Sequence, residues 1–291
     1  MSRRVGPRKF IRRSAMAIAG AMFLAACSSD VVVTSYNFPE SEILGEIYAQ
    51  ALEDAGISVD RSLNLGTREL LYPELRAGRV DVVAEYVGSG LLGAFDVEAP
   101  TEVDEAVALL RSLLAEDGLA VLDAAPGENN QAFVVAGSIA DEQGWTNLSD
   151  LAAAGPLTFA GPPECEERLT CFRGLVEIYG LDNISFTSIQ EPSPRLAALD
   201  AGDVDMILLF STDAPLAEGG YSILVDDAGM LPPENLVPIV SQSALDDHPE
   251  MADVIARVTA RFTTEALQRM NVAVAEGRSA AQIARDFLDA N

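Results

Sequence analysis

The sequence predicts an α/β protein of two lobes, each built on a largely parallel sheet, with a ligand cleft between lobes joined by two crossovers. A diverged internal repeat is the first observation behind this expectation. Leu75-Arg76-Ala77-Gly78-Arg79-Val80-Asp81 recurs as Leu199-Asp200-Ala201-Gly202-Asp203-Val204-Asp205, and each copy continues into an apolar run that ends at an aromatic, Tyr86 or Phe210. Each copy reads as a helix end, a glycine stop and a buried strand. The second observation is that the segments around each copy repeat in the same order of strand, loop, helix, strand, helix and strand. The third is composition: 49% hydrophobic side chains over 291 residues can fill two medium cores, which excludes a disordered chain.

In chain order, the first element is an export signal. Met1–Arg13 carries six basic residues and no acid, and Ser14–Ala26 is uncharged, apolar and closed by Leu24-Ala25-Ala26. A basic start, a short apolar run and small residues before a cut are the parts of a secretory signal, assigned here to residues 1–26. The apolar run is shorter than the roughly 20 residues a membrane-spanning helix needs. Cys27 directly after this run resembles the bacterial lipobox cysteine, so Cys27 is the expected lipidation site. The protein is then expected outside the cytoplasm, held by lipid to the outer face of the cell membrane.

Lobe 1 is expected over residues 30–127. Strand Val31–Ser35 breaks into Tyr36-Asn37-Phe38-Pro39, and a helix follows with Ser41 as N-cap. Ile43, Leu44, Ile47, Tyr48, Ala51 and Leu52 form its apolar face, Gly56 follows its end, and Ile57–Leu63 is the next strand. Lobe 2, residues 128–233, repeats the order. Strand Leu157–Ala160 breaks at Gly161-Pro162-Pro163, a helix carries Phe172, Leu175, Val176 and Tyr179 on one face, and strand Ile184–Ile189 follows its Gly180 stop. Glu128–Gln131 and Leu231–Glu234 are the two crossovers, and residues 234–291 return to lobe 1 as helices. Ligands of open α/β sheets bind beyond the carboxyl ends of strands, so Tyr86 and Phe210 should face one another across the cleft. Lobes joined this way can close around a ligand by hinge motion.

Charge and scarce residues restrict the chemistry. The formal net charge is −26; six of the 19 basic residues lie in the signal, so the remaining chain carries 13 against 45 acids, a formal −32. Such a surface repels nucleic acid and anionic headgroups, and neither is an expected partner. Lys9 is the only lysine and His248 the only histidine. Schiff-base chemistry, a Ser-Lys dyad and a histidine-based metal site are therefore not expected, and no Gly-x-Ser-x-Gly elbow is present. Nothing singles out a carboxylate pair for glycoside hydrolysis among the 45 acids. No catalytic residue, metal or cofactor is assigned, and an enzyme is not expected. Cys165 and Cys171, six residues apart, would sit in an oxidising space, where a local disulfide is the default and two free thiols the alternative.

Six segments then carry a more specific likeness: Thr34 to Leu44, Leu63-Asn64-Leu65-Gly66-Thr67, Glu85-Tyr86-Val87-Gly88-Ser89, Gly161-Pro162-Pro163-Glu164, Phe210-Ser211-Thr212-Asp213, and Phe262 to Leu267. In this order, from about Val31 to the C-terminus, they resemble the glycine betaine/choline (quaternary amine, osmoprotectant) substrate-binding lipoproteins of ABC transporters. The resemblance implies a two-lobed, type II periplasmic-binding-protein-like fold, with ABC permease and ATPase subunits as partners. It also implies a small quaternary-amine ligand caged by aromatic rings through cation–π attraction.

Carried over by motif, Tyr86 and Phe210 match cage aromatics, and Ser89 matches a threonine that donates to the ligand carboxylate. Glu164 and Arg168 match an acid and the carboxylate-binding arginine; Asn37 and Thr212 lie in the implied contact set. Phe133 lies within one position of a third cage aromatic, and Ala132 aligns there equally well. Two positions depart from the pattern: Tyr36 stands where the family has a carboxylate-binding lysine, and Glu234 where it has a fourth cage tyrosine. The alternatives to a betaine-type ligand are a different small solute in the same cleft, or a sensing lipoprotein without transport.

Overall fold

Short apolar runs alternating with amphipathic helices resolve into two five-stranded sheets in a computed structural model that describes residues 1–2 and 30–290. Cys27 and the apolar part of the signal lie outside the described residues. In chain order the strands are β1 (Val31–Tyr36), β2 (Val59–Gly66), β3 (Val82–Tyr86), β4 (Leu119–Val121), β5 (Gln131–Ala136), β6 (Leu157–Gly161), β7 (Ile184–Ser188), β8 (Met206–Phe210), β9 (Tyr221–Leu224) and β10 (Leu236–Ser241). The first sheet has the order β2-β1-β3-β10-β4 and the second β7-β6-β8-β5-β9. Three strands of each sheet run parallel, β2-β1-β3 and β7-β6-β8, and the fourth in the order, β10 or β5, is antiparallel to both its neighbours. The two lobes thus share one topology, as the internal repeat requires.

Central strands are mostly apolar because helices cover both faces of each sheet, with Thr34, Ser35 and Glu85 as buried polar exceptions in β1 and β3. All five residues of β3 are buried, whereas β2 at an edge is mostly open. The helix Pro39–Asp54 presents Ile43, Leu44, Ile47, Tyr48 and Leu52, all fully buried, to β1 and β3. Burial of each such side chain contributes roughly 1.5–3 kcal/mol. The expected cap differs: this helix begins at Pro39 with Phe38 in the N-cap position, and the Ser41 hydroxyl instead accepts from the Tyr36 N–H at 2.9 Å. Proline at the first helical position needs no N–H partner, so the helix can start three residues earlier than a serine cap would place it.

The C-terminal segment packs on the first sheet. Helices Met251–Thr259, Thr264–Ala275 and Ala280–Asp289 share a core with β1 and with the helix Pro39–Asp54, through Ile255, Phe262, Leu267 and Ile283. The Tyr48 hydroxyl bonds that of Thr259 at 2.8 Å inside this core. Among the described residues, no helix is long and apolar enough to cross a membrane.

Two extended crossovers join the lobes, β4 to β5 and β9 to β10, and they pair with each other. Glu128 bridges Asn235 in antiparallel fashion, the Asn129 N–H donates to Glu234 O at 3.1 Å, and the Leu236 N–H to Gly127 O at 3.3 Å. A second contact between lobes comes from the helix Thr264–Ala275. Gln268 and Asn271, three residues apart on one face, donate their side-chain amides to Ser211 O (2.8 Å) and Thr212 O (2.9 Å) beyond the end of β8.

Candidate functional site

The carboxyl ends of β3 and β8 open onto a cavity of about 670 Å³ between the lobes. Tyr86 closes β3 and Phe210 closes β8, and both line this cavity together with Phe38. Phe38 stacks between Tyr36 and Tyr86, with ring centroids 6.1 and 6.3 Å away. The Tyr86 ring is almost wholly buried, whereas Phe210 leaves 48% of its surface open. An apolar ring exposed to that degree at the mouth of a cavity is available to a ligand.

Carboxylates accompany the rings. Glu40, buried in the first turn of its helix, accepts from the Tyr86 hydroxyl, from Asn129 Nδ2 at 3.0 Å and from Asn271 Nδ2 at 2.5 Å. These partners come from β3, the first crossover and the C-terminal segment, so one side chain ties the cavity floor to the hinge. Burial and the nearby Glu40 charge hold the Tyr86 hydroxyl well above the usual phenol range, so it stays a donor. Asp213, also lining the cavity, accepts the Phe210 N–H at 2.9 Å, and burial raises its carboxyl. Aromatic faces beside two carboxylates make a seat for a cation.

A second cavity of about 430 Å³ is lined by Gln131, Glu164, Arg168, Arg195 and Glu234. It shares Ser89, Asn129, Pro192 and Phe210 with the first, so the two are parts of one cleft. Arg168 is exposed in the loop that the Cys165–Cys171 pair encloses; the two cysteines have Cα atoms 5.2 Å apart and are both buried.

Glu234 reaches the N-terminus of the helix Val87–Phe95, whose first N–H groups lack intrahelical partners. Val87 donates to Asn235 O (3.0 Å) and Gly88 to Pro233 O (3.1 Å), while the Ser89 N–H (3.1 Å) and hydroxyl (2.9 Å) both donate to the Glu234 carboxylate. The second crossover therefore occupies this helix start. Gly88 is required for it, because a Cβ there would lie 2.7 Å from Pro233 O. Burial raises the Glu234 carboxyl to about 7 against the pull of the two Ser89 donors.

Seven of the ten residues expected at the ligand line the cleft: Tyr86, Phe210, Thr212 and Ser89 in the first cavity, and Ser89, Glu164, Arg168 and Glu234 in the second. Tyr36, Asn37 and Phe133 do not. Tyr36 turns into lobe 1, where its hydroxyl donates to Glu85 at 2.5 Å and the Arg68 guanidinium lies over its ring. Asn37 is exposed away from both cavities, and its N–H donates to Gly66 O at 3.2 Å. Phe133 packs inside lobe 2 against Phe159, and its neighbour Ala132 is buried on the opposite face of the same sheet. Strand alternation sends one of these two to each face, and helices cover both faces.

Phe38, Glu40, Arg68, Asn129, Asp213, Arg195 and Asn271 are the residues the sequence reading left out. Phe38, Glu40 and Asp213 lie inside motifs that carry the family likeness, beside the residues which that likeness singles out. Asn271 and Arg195 reach the cleft only through helix packing, for which no local signal exists. Arg68 lies over the Tyr36 ring and lines the first cavity, but it is committed elsewhere. Its guanidinium grips fully buried Glu85, with Nη2 at 2.7 Å and Nε at 3.1 and 3.2 Å.

A family model, the substrate-binding domain of ABC-type glycine betaine transport systems (OpuAC), matches residues 29–290. The chain belongs to this family. It is 27% identical over 289 residues to the glycine betaine-binding protein YehZ of Escherichia coli (strain K12), spanning 94% of this chain and 95% of that one. It is 24% identical over 303 residues to the carnitine transport binding protein OpuCC of Listeria monocytogenes, spanning 98% and 97%. Apo YehZ superposes with a TM-score of 0.79 at 26% identity, over 90% of this chain and 98% of the other. A glycine betaine/carnitine/choline ABC transporter structure shows the same fold, with a TM-score of 0.83 at 24% identity over 89% and 98%. As an OpuAC-family member with this two-lobed fold, the protein is a substrate-binding protein of an ABC transporter, and these relatives are transport binding proteins rather than enzymes.

Proposed function

We propose that this protein captures a small quaternary amine, of the glycine betaine, carnitine or choline type, and delivers it to the permease and ATPase of an ABC importer. The observation that carries the reading is the first cavity: three aromatic residues, Phe38, Tyr86 and Phe210, beside the carboxylates of Glu40 and Asp213. A trimethylammonium group has no N–H to donate, so rings and diffuse negative charge recognise it better than any hydrogen bond. The names of YehZ and OpuCC support the same ligand class, since glycine betaine and carnitine both carry that group. Tyr86, Ser89, Phe210, Thr212, Glu164, Arg168 and Glu234 are the residues we assign to the ligand seat.

The binding protein works outside the cytoplasm, with Cys27 as its lipid anchor once residues 1–26 are removed. The two crossovers are its hinge, and closure presents both lobes to the permease. The Cys165–Cys171 pair is a disulfide that holds the Arg168 loop at the cleft.

Titration calorimetry of the chain lacking its signal and Cys27, with glycine betaine, carnitine, choline and proline, tests the assignment. Saturable binding of at least one quaternary amine and none of proline is the expected result. Binding of proline alone would show that the cleft takes another class of solute. That second reading has one observation in its favour: Glu234 occupies the Ser89 donors that a betaine carboxylate is expected to use.

A further inference from the structure

Two of the groups that could receive an anion in this cleft are already engaged within the protein. Arg68 is held by Glu85, and the Ser89 N–H and hydroxyl are held by Glu234. Arg195 is different. It stands in the first turn of the helix Pro192–Ala201, only 4% exposed, and lines the second cavity. Nη1 donates to Ile189 O and Gln190 O, each at 2.9 Å, but Nε is buried with no acceptor. Asp213, Glu191 and Glu164 act on the guanidinium from a distance, and none forms an ion pair with it among the described residues.

This placement costs the fold stability. A desolvated cation without a contact counter-charge is unfavourable, and the positive end of a helix dipole adds to the cost. A group so placed gains only if something outside the chain completes its bonding. A second orphan lies on the same cavity: Asn129 Oδ1 is buried without a donor, while its Nδ2 is fixed on Glu40 at 3.0 Å. The residues that carry these two unmatched atoms, one in lobe 2 and one in the first crossover, thus line the same cavity.

Arg168 lines the same cavity but is exposed at its edge, so we propose that Arg195 is a second, buried arginine that shares the anionic end of the ligand with it. Arg195 receives the carboxylate of a zwitterion whose cationic end lies against Phe38, Tyr86 and Phe210, while Asn129 Oδ1 accepts from a hydroxyl or N–H on that ligand. The inference deepens the quaternary-amine reading and rests on it for the cationic end. It also explains how the cleft dispenses with a lysine at the Tyr36 position.

The test pairs ligands that differ in the carboxylate. Calorimetry is run with glycine betaine, carnitine and choline on wild type, Arg195→Gln and Arg195→Lys, with thermal denaturation reporting folding of each variant. Arg195→Gln should weaken glycine betaine and carnitine roughly ten- to a hundredfold, the scale of a lost charge-assisted hydrogen bond. Choline, which has no carboxylate, should stay within about twofold, and Arg195→Lys should fall between for the two carboxylates. Unchanged betaine and carnitine affinity in Arg195→Gln, or an equal loss for choline, would overturn the proposal. If no quaternary amine binds the wild type, the functional reading fails, and Arg195 is read separately by NMR of the protein with 15N-labelled arginine. The Nε–H resonance missing in Arg195→Lys should then move saturably when acetate is added to wild type, and a fixed resonance would sink the assignment.

Discussion

Replacing Glu234 by glutamine should stabilise the protein above neutral pH and leave its stability unchanged in acid. Burial is the main cause that lifts this carboxyl from 4.5 to about 7. The Ser89 N–H and hydroxyl act against it, buried Glu85 pushes in the same direction as burial, and Arg68 pulls back. Below pH 4.5 the group is protonated in the folded and the unfolded chain alike. Between 4.5 and about 7 the folded chain keeps a proton that the unfolded chain has lost, so stability falls as pH rises through that window. Above about 7 the whole penalty is present.

A displacement of that size corresponds to about 3 kcal/mol at 1.36 kcal/mol per pH unit. Glutamine keeps a carbonyl oxygen for Ser89 and never ionises, so the variant should escape most of the penalty. We expect a gain of about 1–3 kcal/mol at pH 8 and less than about 1 kcal/mol at pH 5. Urea denaturation followed by circular dichroism at both values measures it, and the other 44 acids of the chain cancel in the difference between variant and wild type. A difference that is the same at pH 5 and pH 8 would refute the reasoning, because only the titration of Glu234 makes it depend on pH.

Other outcomes follow from the same geometry. Phe210→Ala should weaken quaternary-amine binding by about 0.5–2 kcal/mol in calorimetry, with little change in melting temperature, because the ring is half exposed and packs on no core. Arg68→Met should cost about 3–5 kcal/mol in urea denaturation, since it leaves Glu85 fully buried without its counter-charge. Alkylation without reductant should label neither Cys165 nor Cys171, and Cys171→Ala should destabilise by about 2 kcal/mol. Mass spectrometry of the mature N-terminus should find acylated Cys27, and Cys27→Ser should free the protein from membranes, which a single acyl chain holds only marginally.

Strand positions are legible in this sequence because their signals are local. Helices stopped at Gly78 and Gly202, at φ of +64° and +74°, and the apolar runs that follow them place β3 and β8 without any long-range information. Tyr86 and Phe210 follow from those ends, which is why the aromatic side of the cleft could be read early. Side-chain direction within a strand is less legible. Tyr36 sits two residues before the cleft-lining Phe38, yet its hydroxyl is drawn inward by Glu85, a partner 49 residues away. Phe133 and Ala132 could not be separated by motif, and both prove to be buried in lobe 2. Arg195 and Asn271 were invisible for another reason: each reaches the cleft from a helix whose packing depends on the whole fold. Their chemistry, an unpaired guanidinium and an interlobe amide, exists only in three dimensions.

Residues of the two crossovers also line the cleft, which on the proposed reading would link binding to closure. Asn129 and Glu234 belong to the two crossovers and are joined by a backbone hydrogen bond of 3.1 Å, while their side chains border the cleft. Asn129 Nδ2 holds Glu40 on lobe 1, and Asn271 holds both Glu40 and the Thr212 carbonyl on lobe 2. Rotation of the lobes therefore changes the groups that meet a ligand at the same torsions that move them. A ligand shifts such an equilibrium only by its differential affinity for the two states. Contacts drawn from Tyr86 on one lobe, Phe210 on the other and Asn129 between them are complete only when all three converge. A solute that spans them favours the closed form, and one that reaches a single lobe does not. On the proposed reading, length and charge spacing would select the solute in this cleft, because they would decide whether the lobes close.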